Sequence, residues 1–179
     1  MEQSKTDTLS RRRFFGVTGA VAVTVGTAAS ARVPARLSDD TFSYEVNRTD
    51  EEWVAMLRGD EYAILREGYT EKPKSSPLWQ ETRPGTYHCK GCDLKSFDGR
   101  WKRELDKGWV FFYHADPNAI LTDIDGPTPD YGSMAAGKDA VTEVHCRRCG
   151  SHLGHLLIVE GEMTHCINGA ALNFSPEVS

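Results

Sequence analysis

Val141-Thr142-Glu143-Val144-His145-Cys146-Arg147-Arg148-Cys149-Gly150-Ser151-His152-Leu153-Gly154-His155-Leu156-Leu157-Ile158-Val159-Glu160-Gly161-Glu162-Met163-Thr164-His165-Cys166-Ile167-Asn168 is the stretch that decides the fold. A strand-like approach enters a C-x-x-C knuckle, and two apolar runs follow with only Glu160-Gly161 between them. Two such residues between strands predict a hairpin loop. In that register His155 lies opposite Cys166 and Leu153 opposite Asn168. Directly opposed residues have Cβ atoms about 4.5–5.5 Å apart on one face, close enough for an imidazole and a thiol to communicate. His165 then points to the other face. A slip of one residue would invert every side chain, so the site depends on this register.

The register gathers Cys166 as a nucleophile, His155 as proton donor or water-positioning group, and Asn168 as an orienting amide. A neighbouring imidazolium would also raise the thiolate fraction. A single cysteine in a strand is more commonly a small buried hydrophobe. Here four of the six histidines, at 145, 152, 155 and 165, crowd around it, which favours chemistry.

Upstream, Cys89-Lys90-Gly91-Cys92 repeats the spacing of Cys146-Arg147-Arg148-Cys149, with 53 residues between the two pairs. Two knuckles supply the four thiolates of a tetrahedral structural zinc site, Cys89, Cys92, Cys146 and Cys149, with no open position for catalysis. Disulfides are the alternative in an oxidising compartment. Five cysteines leave one over in that scheme, and matched knuckles suit a metal better. A zinc joining them closes a long loop and restricts the unfolded chain.

The 179 residues suffice for one domain with its own core. Ser10-Arg11-Arg12-Arg13-Phe14-Phe15, a mildly apolar run and Ala29-Ser30-Ala31 read as a twin-arginine export signal over residues 1–31, cleaved at its end. Its apolar run of about 18 residues is marginal for a stable membrane anchor. Export predicts a periplasmic or extracellular protein, and the first cysteine, Cys89, is too far on for lipid attachment. The whole chain carries −5, and beyond residue 31 there are 17 basic against 24 acidic residues, with no basic stripe. Nucleic-acid affinity depends on clustered Lys and Arg, so no nucleic-acid partner is expected.

Residues 32–48 lack periodicity and read as a linker or arm, with the domain proper over 49–179. Thr49-Asp50-Glu51-Glu52 is a capping box opening a helix through Trp53, Met56 and Leu57 that Gly59 stops; a second short helix from Asp60 ends near Gly68. After Pro84-Gly85 short strand-like stretches follow at Thr86–His88, Trp109–Tyr113, Val141–His145, Leu156–Val159 and Met163–Phe174. Residues between Ala115 and Ala140 read as a long loop. The fold expected is mostly β (α+β): antiparallel sheet with short N-terminal helices, stapled by zinc.

Glu61–Arg66, Gly85–Cys89, Thr142–His155 and Cys166-Ile167-Asn168-Gly169-Ala170-Ala171-Leu172 together resemble the type B methionine sulfoxide reductases, which reduce the R epimer of methionine sulfoxide. The resemblance runs from about Thr49 to Pro176 and implies two antiparallel sheets. It further implies that the two C-x-x-C pairs hold zinc, that Cys166 is the nucleophile, and that His152, His155, Asn168 and Gly108-Trp109 line the pocket. Phe112 is expected with Trp109 and His152 at the substrate. The implied chemistry turns methionine sulfoxide in proteins or peptides into methionine, leaving a Cys166 sulfenic acid that a second thiol must reduce.

Departures from the family are specific. Lys107 stands at the usual resolving cysteine, so an external thiol reductant, such as a thioredoxin-like protein, is expected. Gly108-Trp109-Val110-Phe111-Phe112 replaces Gly-Trp-Pro-Ser-Phe, and Gly154-His155-Leu156-Leu157 replaces Gly-His-x-Phe. Thr164-His165 replaces an Arg-aromatic pair before the nucleophile, and Val141 another Arg. Two further readings explain these changes: a non-catalytic redox-sensing or binding domain that uses Cys166 as an oxidisable thiol, or another thiol enzyme on the same zinc-stapled sheet.

Overall fold

Two helices open the described chain, which in this computed structural model comprises residues 42–125 and 141–178. Helix α1 (Asp50–Met56) starts at the capping box: the Glu52 N–H donates to the Thr49 hydroxyl, and the Thr49 N–H to the Glu52 carboxylate at 2.8 Å. It ends at Leu57, two residues before Gly59, which instead becomes the first residue of α2 (Gly59–Glu67). Gly68 closes α2 in the left-handed conformation that glycine adopts without a Cβ penalty. Trp53, Ile64 and Leu65 are the apolar residues these helices bury, with Glu61 buried beside them.

Among the described residues nine strands follow: β1 (Gly85–Cys89), β2 (Lys95–Asp98), β3 (Lys102–Arg103), β4 (Val110–Phe112), β5 (Ile120–Asp125), β6 (Val141–Cys146), β7 (His152–Val159), β8 (Glu162–Ile167) and β9 (Leu172–Pro176). They form two antiparallel sheets, β2-β1-β9 and β3-β4-β8-β7-β6-β5, as expected for a mostly β chain with short N-terminal helices. The core holds the helices' apolar residues with Tyr87, Phe97, Phe112, Leu153 and Ile167. Phe97 and Phe112 stack at 4.4 Å between centroids, and Tyr87 meets Phe112 edge-on at 5.0 Å.

The decisive hairpin forms in the expected register, with His155 opposite Cys166. Glu160 and Gly161 both have positive φ, the requirement of a two-residue type I′ turn. Gly154 lets the strands meet: a Cβ there would lie 2.1 Å from the Cys166 carbonyl oxygen.

Two expectations change. Between Ala115 and Ala140 lies strand β5, paired residue for residue with β6, its pattern hidden because Asp123 and Asp125 share one face with Leu121 while Thr122 and the exposed Ile124 lie on the other. Residues 126–140 of the expected loop lie outside the described residues. Met163–Phe174 is not one strand but β8, a 3₁₀ turn at Gly169–Ala171 and β9, which crosses to the other sheet. The Glu71 carboxylate accepts from the Gly169 and Ala170 N–H groups at 2.6 and 2.9 Å and thereby fixes that turn.

Residues 42–48, the described part of the expected arm, pack on the second knuckle. The Val46 N–H donates to the Arg148 carbonyl at 2.9 Å, Glu45 pairs with Arg147 at 2.8 Å, and the Tyr44 ring covers Gly150. The expected export signal lies outside the described residues. No helix among the described residues is long and apolar enough to cross a membrane.

Candidate active site and metal centre

Cross-strand register lines up one residue from each strand of the larger sheet: Arg103, Phe111, Cys166, His155, Glu143 and Asp123, from β3 through β4, β8, β7 and β6 to β5. Directly opposed residues share a face, so these side chains form one row away from the core. The alternation of β4 corrects the expectation for Phe112. Its ring is fully buried in the core against Phe97, and its neighbour Phe111 stands beside the thiol. His165 takes the core side, as expected, with its Nδ1 against the Phe112 carbonyl oxygen at 3.2 Å.

Burial pushes the Cys166 thiol up to about 11, with the Glu71 carboxylate acting in the same direction. The resting sulfur is therefore a protonated thiol at neutral pH. No hydrogen bond reaches it from the described residues.

His155 of the row and the adjoining His152 are both held by carboxylates. His152 Nδ1 lies 2.6 Å from Glu143 Oε1, and His155 Nε2 lies 2.9 Å from Asp125 Oδ2. A carboxylate only accepts, so each of these nitrogens carries the proton, and the other ring nitrogen is bare when the imidazole is neutral. The two rings meet edge to face at 5.1 Å. His152 is 3% exposed, and its Nε2 is buried with no partner among the described residues. Its hydrogen bond holds the Glu143 carboxyl below the usual carboxylate range.

Asn168 is fully engaged by backbone. Its Oδ1 accepts from the Glu71 N–H at 3.0 Å and its Nδ2 donates to the Leu153 carbonyl at 3.1 Å. The amide thus orders the segment around the thiol. Trp109 is half-buried and donates its indole N–H to the Glu71 carbonyl at 3.3 Å. Glu71 therefore ties together Trp109, Asn168 and the turn after Cys166, a role sequence reading missed because Asn168 and that turn lie about a hundred positions away. Glu143 and Phe111 were also missed; strand parity was the signal available for both.

Two departures from the family pattern acquire surroundings. Arg103 brings a guanidinium to Thr164, donating to its hydroxyl at 3.2 Å and to the Val159 carbonyl at 2.7 Å. Lys107 pairs with Glu160 at 3.0 Å at the hairpin turn.

The four knuckle cysteines converge where the two sheets meet, Cys89 ending β1 and Cys146 ending β6. Their sulfurs all lie within 4.8 Å of one another, with Cys89–Cys149 at 3.7 Å and Cys92–Cys146 at 3.5 Å. Disulfide sulfurs would be about 2 Å apart. A tetrahedral ion with bonds of about 2.3 Å needs sulfurs spaced by about 3.8 Å, so the donor set fits zinc. Neighbouring sulfurs hold the Cys92 and Cys149 thiols low and push those of Cys89 and Cys146 up, as expected of four donors sharing too little charge compensation. Residues Cys89, Cys92, Cys146 and Cys149 would hold such an ion, which would supply structural cross-linking.

A lone thiol in a row with an aromatic ring and two carboxylate-held histidines, on sheets joined by a four-cysteine cluster, defines a thiol-dependent redox site. The chain belongs to the SelR-domain family, whose model matches residues 57–176. The peptide methionine sulfoxide reductase MsrB of Agrobacterium fabrum is 34% identical over 142 residues, covering 76% of this chain and 98% of that protein. The MsrB of Cellvibrio japonicus is 37% identical over 129 residues, 70% of this chain and 86% of that protein. Peptide methionine sulfoxide reductase B3 of Arabidopsis thaliana is 33% identical over 139 residues, 75% of this chain and 73% of that protein.

Proposed function

We infer that this chain is a peptide methionine sulfoxide reductase selective for the R epimer, with Cys166 as its nucleophile. Methionine sulfoxide reduction is the activity carried in the names of relatives that match most of its length. The observation that supports Cys166 is its place in the sheet row, directly between Phe111 and His155.

The Cys166 sulfur attacks the sulfoxide sulfur, and the thiol proton passes by way of the histidine pair to the sulfoxide oxygen. The oxygen then moves from the methionine sulfur to the Cys166 sulfur as the bond between the two sulfurs breaks, so methionine leaves and Cys166 is left as a sulfenic acid. The methionine sulfur is reduced by two electrons and the cysteine sulfur oxidised by two. Two thiol equivalents from an external reductant, such as a thioredoxin-like protein, return the thiol and release water and a disulfide. Trp109, Phe111 and His152 surround the substrate's methyl and alkyl groups, and Asn168 with Glu71 holds the segment. Zinc in the four-cysteine cluster is structural. Residues 1–31 act as a twin-arginine signal, so the enzyme works in the periplasm or outside the cell on oxidised proteins, with residues 32–48 an arm and the domain from 49 on.

A sensor cysteine is a low-pKa, accessible thiol. Burial raises the Cys166 thiol to about 11, away from that range. Trapping with a sulfenic-acid reagent separates enzyme from sensor. The reductase gives label at Cys166 when a methionine-sulfoxide peptide is added without reductant. Label with hydrogen peroxide alone, and none with sulfoxide, would establish the sensor instead.

A further inference from the structure

We propose that Arg66 and Ser151 are positioning residues of the four-cysteine cluster: Arg66 donates to the Ser151 hydroxyl, the hydroxyl donates to the Cys149 sulfur, and this chain of donors slows loss of the zinc that the cluster would hold. The proposal rests on zinc as the cluster's ion and is independent of the reductase reading.

The direction of each bond follows from which atoms can give a hydrogen. Arg66 Nη1 lies 3.1 Å from the Cys149 carbonyl oxygen and 3.3 Å from Ser151 Oγ. A guanidinium only donates, so both oxygens accept. Ser151 Oγ lies in turn 3.2 Å from Cys149 Sγ. A cysteine that ligates a metal is a thiolate and only accepts, so the hydroxyl hydrogen points at the sulfur. Ser151 is fully buried, which leaves no room for bulk water to take the place of its hydroxyl. Gly91 of the first knuckle keeps the approach open, since a Cβ there would lie 2.7 Å from Ser151 Oγ and 3.4 Å from Cys149 Sγ.

Charge explains why a cation stands at the head of this chain. Four thiolates on one dication leave a net negative centre, which is costly away from water unless donors or cations offset it. Among the described residues Arg66 pairs with no carboxylate, so its charge is not committed elsewhere. Its guanidinium sits over the Trp53 ring, 4.6 Å from the centroid, and that ring is 1% exposed. Trp53 belongs to α1 and Arg66 to α2, so the two N-terminal helices together aim one cation at the second knuckle. Arg48 and Arg148 also donate to knuckle carbonyls, those of Gly91 and Cys92, each at 3.4 Å. Arg48, however, is exposed, and Arg148 lies 3.6 Å from the Glu45 carboxylate. Of the three, Arg66 joins an uncommitted charge to a hydrogen-bonded path onto a ligand sulfur.

The test is zinc release from full-length, zinc-loaded protein into excess chelator, read with a colorimetric indicator while circular dichroism reports the fold. Wild type, Arg66→Met, Ser151→Ala and the double variant are compared. Each single variant should release zinc about tenfold faster, the lower end of what losing a ligand's hydrogen-bond partner costs. The double variant should fall well short of the product of the two factors, because Arg66 acts in part through Ser151. Single-variant rates within about twofold of wild type, below the range for such partners, would overturn the proposal. So would a double variant in which the two factors multiply. Divalent cobalt in place of zinc adds a readout that a general loss of stability does not move. Without the hydroxyl, the thiolate-to-cobalt absorption band of Ser151→Ala should shift to longer wavelength, and an unshifted band overturns the proposal even if Arg66→Met fails to fold. Wild-type protein that takes up neither metal with its cysteines reduced overturns the zinc reading and this proposal together; metal uptake with unchanged release rates overturns the proposal alone.

Discussion

At the scale of single residues, Cys166 must react from a protonated resting state. With the thiol at about 11, roughly one molecule in ten thousand holds a thiolate at pH 7. Alkylation of the free protein by iodoacetamide should therefore rise about tenfold per pH unit between pH 7 and 10. Glu71→Gln, which removes a carboxylate opposing the thiolate, should move this curve to lower pH. A plateau already reached at pH 8 in the wild type would contradict the assignment. The same shift fixes a sign for stability. The folded thiol stays protonated while the unfolded one ionises near 8.5, so stability falls as pH rises from about 8.5 towards 11. Cys166, His155 and the hairpin between them were legible in sequence because a two-residue loop with paired apolar runs admits one good register. Glu71 and Glu143 were not, since a carboxylate's role comes from partners brought together by the fold. Phe112 was misplaced by one residue, which in a strand means the opposite face.

At the scale of elements, the approach of β7 to β8 governs the site. Gly154→Ala would drive a Cβ to within 2.1 Å of the Cys166 carbonyl oxygen and 2.9 Å of the Ile167 Cα, both backbone atoms with little freedom to yield. The expected loss is about 1–3 kcal/mol of stability, as for overpacked cores, with turnover falling further because the strand bearing Cys166 must shift. Denaturant melts and kcat measured together check this; an unaltered midpoint would show that the strands separate freely. The arm is a second element with a definite consequence. A chain beginning at Thr49 lacks the Val46–Arg148 hydrogen bond, the Glu45 pairs and the Tyr44 cover over Gly150. It should lose zinc to a chelator several-fold faster than a chain beginning at Arg32, measured with a colorimetric zinc indicator. Sequence reading left the arm irregular because its contacts are with a knuckle a hundred residues away, and it missed β5 because an edge strand half in water lacks a clean alternation.

At the scale of the whole molecule, the four-cysteine cluster is the joint between the sheets, tying β1 of one to β6 of the other. Removing zinc should lower the melting temperature by about 10 °C or more. Each kcal/mol moves a domain of this size by about 3–5 °C, and a structural zinc contributes several. Cys89→Ser should reproduce the loss, whereas Cys166→Ser should leave the melt near wild type, since its sulfur bonds to no described residue. That four cysteines gather in one cluster and Cys166 stands apart from it was readable from spacing alone. The central claim is tested most directly by turnover of separated R and S methionine sulfoxide, peptide-bound, by zinc-loaded protein beginning at Arg32 with dithiothreitol, beside Cys166→Ser. The account predicts turnover of the R epimer only, abolished in Cys166→Ser; equal turnover of both epimers, or activity that survives loss of the thiol, would contradict it.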